Sequence, residues 1–230
     1  SPNTLLRPAD ILSDARVYSG QGEISSAWLG GPTTRYDHGV MGSSVEASRL
    51  YARTRQDPST EQRGRVVLSL PEDQVFEDRQ VRYADLDNDQ QDELIIIRTR
   101  LNSGAGIVSY GLNRGQLTEE AASDTIGLSN RWLNIIDIQD FTGDGQLEVA
   151  VVITPHIGGT LRLFRQQGTR LIPFLEQWGY SNHEYGALEL GMSATLDVNG
   201  DGIMDIAVPD ENRRDLILLT ARGSKLQILQ

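Results

Sequence analysis

Short apolar runs alternate with polar segments along the whole chain. The runs are rich in Val, Ile and Leu, as in 94–97 and 149–153, and Gly, Asn, Asp or Pro residues separate them. Helical periodicity is weak throughout. This pattern predicts an all-β protein built from short strands.

Three acidic loops recur in step with the predicted strands. They are DLDNDQQDE at 85–93, DFTGDGQLE at 140–148 and DVNGDGIMD at 197–205, and their starts lie 55 and 57 residues apart. An apolar run precedes and follows each loop, so each loop is predicted to join the two strands of a hairpin. A second pair of apolar runs follows each hairpin, which gives four strands per repeat.

A four-stranded antiparallel unit repeated at this period is typical of a β-propeller blade, because radial repetition buries both faces of each small sheet. The 230 residues hold four such units, and five blades are the alternative. The blades of this single domain are predicted at 24–79, 80–128, 129–186 and 187–230. The strands of the first blade are expected at 25–29, 45–52, 65–70 and 74–76. The remaining 1–23 extension, through a strand at 15–19, is expected to pair with the last blade and close the ring.

The acidic loops have the composition of calcium sites. Calcium takes six to eight oxygen ligands in flexible geometry, so carboxylates at alternate positions of a tight turn can converge on one ion. Side chains and backbone carbonyls at the first, third, fifth, seventh and ninth positions are the candidate ligands. They are Asp85, Asp87, Asp89, Gln91 and Glu93; Asp140, Thr142, Asp144, Gln146 and Glu148; and Asp197, Asn199, Asp201, Ile203 and Asp205.

About three structural Ca²⁺ ions are therefore expected, with weaker binding at the first loop, where Gln90 replaces a glycine. Ordinary hairpin turns with solvated acids are the alternative, since Asn-Gly and Asp-Gly are common turn signals. Three loops in register with the strands favour calcium. An EF-hand does not fit, because its twelfth position requires an acid and these loops have Ile96, Val151 and Val208 there.

Composition excludes several other classes of function. The chain has 21 Lys and Arg against 32 Asp and Glu, a net charge of −11, and such acidity argues against nucleic acid as a partner. It has no cysteine, which excludes disulfides and thiolate sites. No run approaches the length of a transmembrane helix. The acidic loops hold 11 of the acids, so much of the charge belongs to them.

The motif Asp-x-Asp/Asn-x-Asp-Gly-x-x-Asp/Glu followed by an apolar strand resembles the FG-GAP or VCBS repeats of integrin-like β-propellers. The resemblance covers 81–230 well and 24–79 poorly. It implies calcium-binding blades and an exported protein, periplasmic or secreted, that acts as a binding module. The chain departs from integrin-like propellers in having four units, fewer than their seven blades, and in lacking an acidic loop in its first unit.

The first unit instead carries the long loop GGPTTRYDHGVMGS at 30–43. We place this loop, with His38, on the same rim as the acidic loops. There the charge of Arg35 is expected to take the position that a cation occupies in the other blades, so this blade is predicted to bind no calcium.

The opposite rim is predicted to bind the partner, because it gathers residue types that anchor recognition. The candidates are Arg98, Arg100, Arg131, Trp132, His156, Tyr180, His183 and Tyr185. For the tryptophans, Trp28, Trp132 and Trp178, packing between blades is the alternative role. The pair Gly158 and Gly159 would let a ligand approach the backbone, or simply form a turn.

No nucleophile motif, zinc-protease motif, P-loop or dinucleotide fingerprint is present. The sequence therefore predicts a non-catalytic recognition or scaffold module for a protein or glycan partner. The alternative is a secreted or periplasmic carbohydrate-active enzyme, a lyase or hydrolase, that uses His156, His183 and an arginine.

Overall fold

The computed structural model describes residues 8–55 and 64–229, and this part of the chain is all-β, as predicted. Its seventeen strands are β1 (Tyr18–Ser19), β2 (Ile24–Thr33), β3 (Glu46–Thr54), β4 (Arg65–Ser69), β5 (Gln74–Phe76), β6 (Arg82–Ala84), β7 (Glu93–Arg100), β8 (Gly104–Asn113), β9 (Gln116–Ala122), β10 (Leu133–Gln139), β11 (Glu148–Ile153), β12 (Thr160–Gln167), β13 (Arg170–Trp178), β14 (Ala194–Leu196), β15 (Asp205–Pro209), β16 (Leu216–Arg222) and β17 (Lys225–Ile228). No helix capable of crossing a membrane occurs among these residues.

The strands form four antiparallel meanders of four strands each: β1–β4, β6–β9, β10–β13 and β14–β17. Strand β5 pairs with both β3 and β7 and so joins the first meander to the second. A single parallel pair links β9 to β13, and the fourth meander is a separate sheet. The predicted four-strand repeat is present, but hydrogen bonding between the described strands does not close into a ring.

The first meander begins earlier in the chain than predicted. Strand β1 pairs with β2, not with the last meander, so the predicted closure by the N-terminal strand is wrong. The tight turn between them requires Gly20, where a Cβ would lie 2.4 Å from the backbone oxygen of Ile24. The fourth strand of this meander is β4, and the segment predicted as its fourth strand, β5, lies between two meanders instead.

This earlier start moves the long loop of the first unit to the other end of its sheet. Successive connections in an antiparallel meander alternate between the two ends, and the acidic loops join first to second strands. The loop at 34–45 joins β2 to β3, the second and third strands. It packs instead against the connection between the third and fourth meanders, where Gly186 N donates to Val40 O at 2.8 Å. The predicted position of this loop beside the acidic loops is therefore wrong.

Three buried clusters pack between neighbouring meanders. Along β7, Leu94 and Ile96 belong to the cluster with the first meander, and Ile95 and Ile97 belong to the cluster with the third. Strand β11 alternates in the same way, and its apolar side chains are buried on both faces. Burial on both faces explains why these strands read as continuous apolar runs.

Candidate metal centres and a histidine pocket

The three acidic loops share one hydrogen-bond frame. In each, the carboxylate of the first acid accepts the backbone N–H groups of the fifth and sixth residues at 2.8 to 3.2 Å. The acid at the fifth position accepts the N–H of the seventh residue in all three. Each loop connects the first and second strands of its meander, as predicted. The sequence repeat is therefore also a repeat of backbone geometry.

The last acid of each loop is buried. Glu93, Glu148 and Asp205 are each at most 2% exposed. One oxygen of each accepts the N–H of the second loop residue, at 2.8 Å from Leu86 and Phe141 and 3.0 Å from Val198. Each of these carboxylates therefore ties the end of its loop to the beginning with one oxygen, and its second oxygen can contact another partner.

Two positions of each loop have left-handed backbone. The fourth and sixth residues have φ between 63° and 87°, and in the second and third loops all four are glycines. In the first loop they are Asn88 (φ 63°) and Gln90 (φ 72°). Side chains rarely adopt this region, so Gln90 is held there by its N–H bond to Asp85 and by the rest of the frame.

The first loop concentrates negative charge. Its Asp85, Asp87, Asp89 and Glu93 offer carboxylate oxygens that lie within 4.8 Å of one another. Burial raises the pKa of Glu93 to about 8. The neighbouring acids also raise this pKa, whereas the hydrogen bond from the N–H of Leu86 lowers it. Among the described residues, no ion pair reaches these four acids. The cluster has the oxygen ligands that a divalent cation requires.

The second loop is paired with an arginine. Asp140, Asp144 and Glu148 form a similar group of carboxylates. Arg165, on β12, places one guanidinium nitrogen 3.1 Å from Thr142 Oγ1 and 2.9 Å from Asp144 Oδ2, and it also contacts Glu148 Oε1. Three predicted ligand side chains therefore meet one protein cation.

The third loop differs again. One oxygen of Asp205, Oδ1, is buried and has no hydrogen-bond partner in the part of the chain that the structure describes. The nearest ion pair is loose, with Arg222 at 3.7 Å from Asp201 and both side chains partly exposed. An orphaned buried carboxylate oxygen in this loop fits a site that a cation completes. The carbonyl ligands predicted at Gln91, Gln146 and Ile203 stay predictions.

A pocket of about 390 Å³ lies where the long loop of the first unit meets three other connections. Its lining residues are Asp37, His38, Asn130, Arg131, Trp132, Thr154, His156, Ile157 and Tyr185. Asn130 (φ 53°) and Thr154 (φ 48°) have left-handed backbone, which for a β-branched residue is a strained conformation. All three histidines of the chain lie in or directly behind this pocket.

His38 is oriented by a buried glutamate. Its Nδ1 lies 2.6 Å from Glu77 Oε1, and Glu77 also accepts a bond from Thr99 Oγ1 at 2.7 Å. The backbone oxygen of Glu77 accepts the indole N–H of Trp132 at 2.9 Å. Because the carboxylate engages Nδ1, the nitrogen that His38 can offer to a ligand is Nε2.

His156 is oriented by His183. His183 Nε2 donates to Ala187 O at 2.9 Å, so its Nδ1 accepts the proton of His156 Nε2 at 2.8 Å. The Nδ1 of neutral His156 is then an acceptor without a hydrogen-bond partner among the described residues. Burial, and next the neighbouring His183, Arg213 and His38, lower the pKa of His156 to about 4. Burial also lowers the pKa of His183, so the pair is neutral near pH 7.

The structure gathers half of the predicted ligand residues. Arg131, Trp132, His156 and Tyr185 line the pocket, and Tyr185 is 58% exposed. His183 is fully buried behind His156.

The other predicted ligand residues lie elsewhere. Tyr180 does not line the histidine pocket and is buried in the cluster between the third and fourth meanders. Arg98 and Arg100 line a separate cavity of about 340 Å³, where Arg98 is paired with Glu119. These arginines do not share the histidine pocket.

The remaining tryptophans and Gly159 do not contribute to the pocket. Trp28 is buried and stacks on Tyr51 with ring centroids 5.4 Å apart, but Trp178 is 70% exposed and fills no interior space. A Cβ on Gly159 would lie 1.9 Å from Tyr180 O, so the close approach there is made by backbone, not by ligand.

Arg35 does not replace a cation. Its Nε donates to Gln74 O at 2.8 Å, at the end of the sheet away from the acidic loops. The pairing of His38 with Glu77 was not predicted from the sequence, because the two residues are 39 positions apart. The only local signal was the cluster of Arg, Tyr, Asp and His at 35–38 in a long loop.

Comparison with protein families places a repeat in this region. Residues 140–208 match the model of the FG-GAP-like repeat. The matched segment contains the second and third acidic loops and the connections that carry His156, His183 and Tyr185. It supports an FG-GAP repeat in this part of the chain. A search of curated proteins found no match.

Proposed function

We propose that the protein is a calcium-stabilised, exported recognition module whose four meanders are the blades of a propeller of the FG-GAP or VCBS type. A ligand binds in the histidine pocket, away from the acidic loops. The observation that carries the proposal is the convergence of four connections, with all three histidines, on one pocket lined by exposed and polar side chains. Binding residues concentrate on such connections because the sheets hold them rigidly.

Calcium has a structural role in this proposal. The acids cluster where like charges repel, and an oxygen-binding cation removes that repulsion while it ties two strands of a hairpin together. The Oδ1 of Asp205, which is buried and unpartnered within the described residues, supports a cation at the third loop. Ca²⁺ supplies no chemistry to the pocket, which lies at the other end of the sheets.

The pocket favours a hydroxyl-rich ligand. Two imidazole nitrogens, His38 Nε2 and His156 Nδ1, have no hydrogen-bond partner among the described residues and act as acceptors in their neutral forms. Hydroxyl groups supply the donors that such acceptors need. The exposed ring of Tyr185 and the exposed side chain of Ile157 offer apolar faces for the C–H groups of a sugar ring. A glycan therefore fits better than a protein segment.

Histidine ring NMR tests the recognition proposal directly, because every histidine of the chain belongs to this site. The probes are methyl glycosides of common hexoses, and short peptides serve as the comparison. At least one glycoside is expected to shift the His38 and His156 ring signals, and Tyr185→Ala is expected to abolish the shift. The matched control is Arg100→Ala, another exposed residue outside the pocket, which should retain it. A response to peptides alone overturns the glycan assignment, and no response to either overturns the recognition proposal.

The His38–Glu77 pair favours a second candidate, a carbohydrate-active enzyme. A histidine with a buried carboxylate behind Nδ1 is the base and orienting group of many acid–base catalysts. An enzyme would release product from a bound glycan, and His38→Gln would abolish turnover while binding persisted. A binding module would show no product with either protein.

A further inference from the structure

The three acidic loops differ in what lies across the sheet from their last acid. Glu148 pairs directly with Arg165 in the register of β11 and β12. Continuing the registers of β7 with β8 and of β15 with β16 places Gly111 opposite Glu93 and Thr220 opposite Asp205. Of these three loops, only the second therefore has a cationic side chain directly opposite its last acid.

Arg165 is held in the loop from both sides. One guanidinium nitrogen contacts the oxygens of Thr142, Asp144 and Glu148, three of the side chains predicted to ligate calcium. The other side of the guanidinium lies over the Phe174 ring, with 4.7 Å between Cζ and the ring centroid. Charge-assisted bonds to buried Glu148 are strong because the carboxylate is shielded from water.

In the described part of the chain, the first and third loops have no equivalent of Arg165. Gly111 has no side chain, and the loop beside it holds five acids, none of which forms an ion pair with a described residue. Thr220 is neutral, and the Oδ1 of Asp205 opposite it is buried without a partner among residues 8–55 and 64–229. The remote contact of Arg222 reaches only Asp201, at 3.7 Å.

We infer that Arg165 occupies the cation position of the second acidic loop, so that this loop binds no Ca²⁺ while the first and third do. The inference rests on the proposed calcium binding, and it lowers the expected number of ions from three to two. The second loop, although it has glycines at both left-handed positions, is thus the one that a protein cation fills. The first loop, despite Gln90, remains a site.

Calcium calorimetry on chelator-stripped protein tests this assignment. The wild type is expected to bind two equivalents, and Arg165→Thr, which copies the residue found opposite Asp205, is expected to bind three. Arg222→Thr is the matched control and should keep two, because Arg222 makes one loose contact. Arg165→Lys retains the charge and should also keep two, which separates the effect of charge from that of the shape of the side chain.

Melting curves show whether the Arg165→Thr variant is folded. In chelator, Arg165→Thr is expected to melt below the wild type, because Glu148 loses its partner, and Ca²⁺ should restore most of the difference. Three equivalents in the wild type, or two in Arg165→Thr with an unchanged melting temperature, would overturn the inference and leave calcium binding intact. No calcium bound by wild type and Arg165→Thr alike would instead overturn the proposed calcium binding itself.

Discussion

At the level of single residues, the acidic loops depend on left-handed backbone at two positions. Glycine takes this conformation without steric cost, whereas other residues adopt it only at a cost in free energy. The sequence shows both glycines in two loops and neither in the first, so a weaker first loop is predicted from sequence alone. The structure adds that Asn88 and Gln90 nevertheless adopt the same geometry.

Gln90→Gly is therefore expected to stabilise the protein by about 0.5 to 1 kcal/mol. The relief of backbone strain at the left-handed position stabilises the folded state, and the greater conformational entropy of the unfolded glycine chain offsets part of this gain. Denaturant melts measure the change. The reverse control is Gly145→Ala, whose Cβ meets no atom within 4 Å, so it adds only backbone strain. It should lower the free energy of unfolding by a similar amount. A destabilised Gln90→Gly variant would contradict the shared loop geometry.

The histidine pair makes stability depend on pH. The pKa of His156 is about 4 in the fold and near its usual 6.5 in the unfolded chain, so the unfolded state takes up the proton first as the pH falls. Stability from this group is full above about pH 6.5 and is lost as the pH falls from there through about 4.

Urea midpoints at about pH 7 and about pH 5 test this dependence. The wild type should lose more stability over this interval than His156→Gln, which keeps a hydrogen-bond donor for His183 but does not titrate there. Equal losses would mean that the pKa of His156 in the folded protein lies near its usual value of about 6.5.

At the level of elements, the hairpins could be predicted because each acidic loop marks the end of one strand and the start of the next. The first meander could not be placed correctly, since β1 has only two residues and carries no apolar pattern. The predicted strand at 15–19 was assigned to the last meander instead of the first, and this reversed the end of the sheet predicted for the long loop and for His38 and Arg35.

The connection between β11 and β12 lies directly against the one that follows β13. Gly159 O accepts the N–H groups of Gly179 and Tyr180 at 2.9 and 3.1 Å, and no side chain fits at Gly159. Gly159→Ala is expected to cost about 2 to 3 kcal/mol and to separate His156 from His183. Gly168→Ala, in an open hairpin turn, should cost about 1 kcal/mol and leave the histidine ring signals unchanged. Equal costs for the two variants would contradict the close packing.

At the level of the whole molecule, the acidic-loop motif could be recognised locally, but the pocket could not. Its residues come from connections far apart in the chain, and only the packing of meanders brings His38 beside Tyr185, whose hydroxyl donates to His38 O at 2.7 Å. The repeated pattern predicted the meanders; it contains no information about which loop residues meet. Arg165 was missed for the same reason, because its role depends on strand register.

We expect the first and third acidic loops to bind calcium and thereby to stabilise the fold. Thermal melting in excess chelator and in excess Ca²⁺, with Mg²⁺ as the control, tests this expectation. A ligand at 100 times its dissociation constant stabilises by about 2.7 kcal/mol per site, so two sites should raise the melting temperature by roughly 10 °C. Mg²⁺ should do less, because it requires stricter octahedral geometry. Identical melting curves in chelator and calcium would contradict the claim.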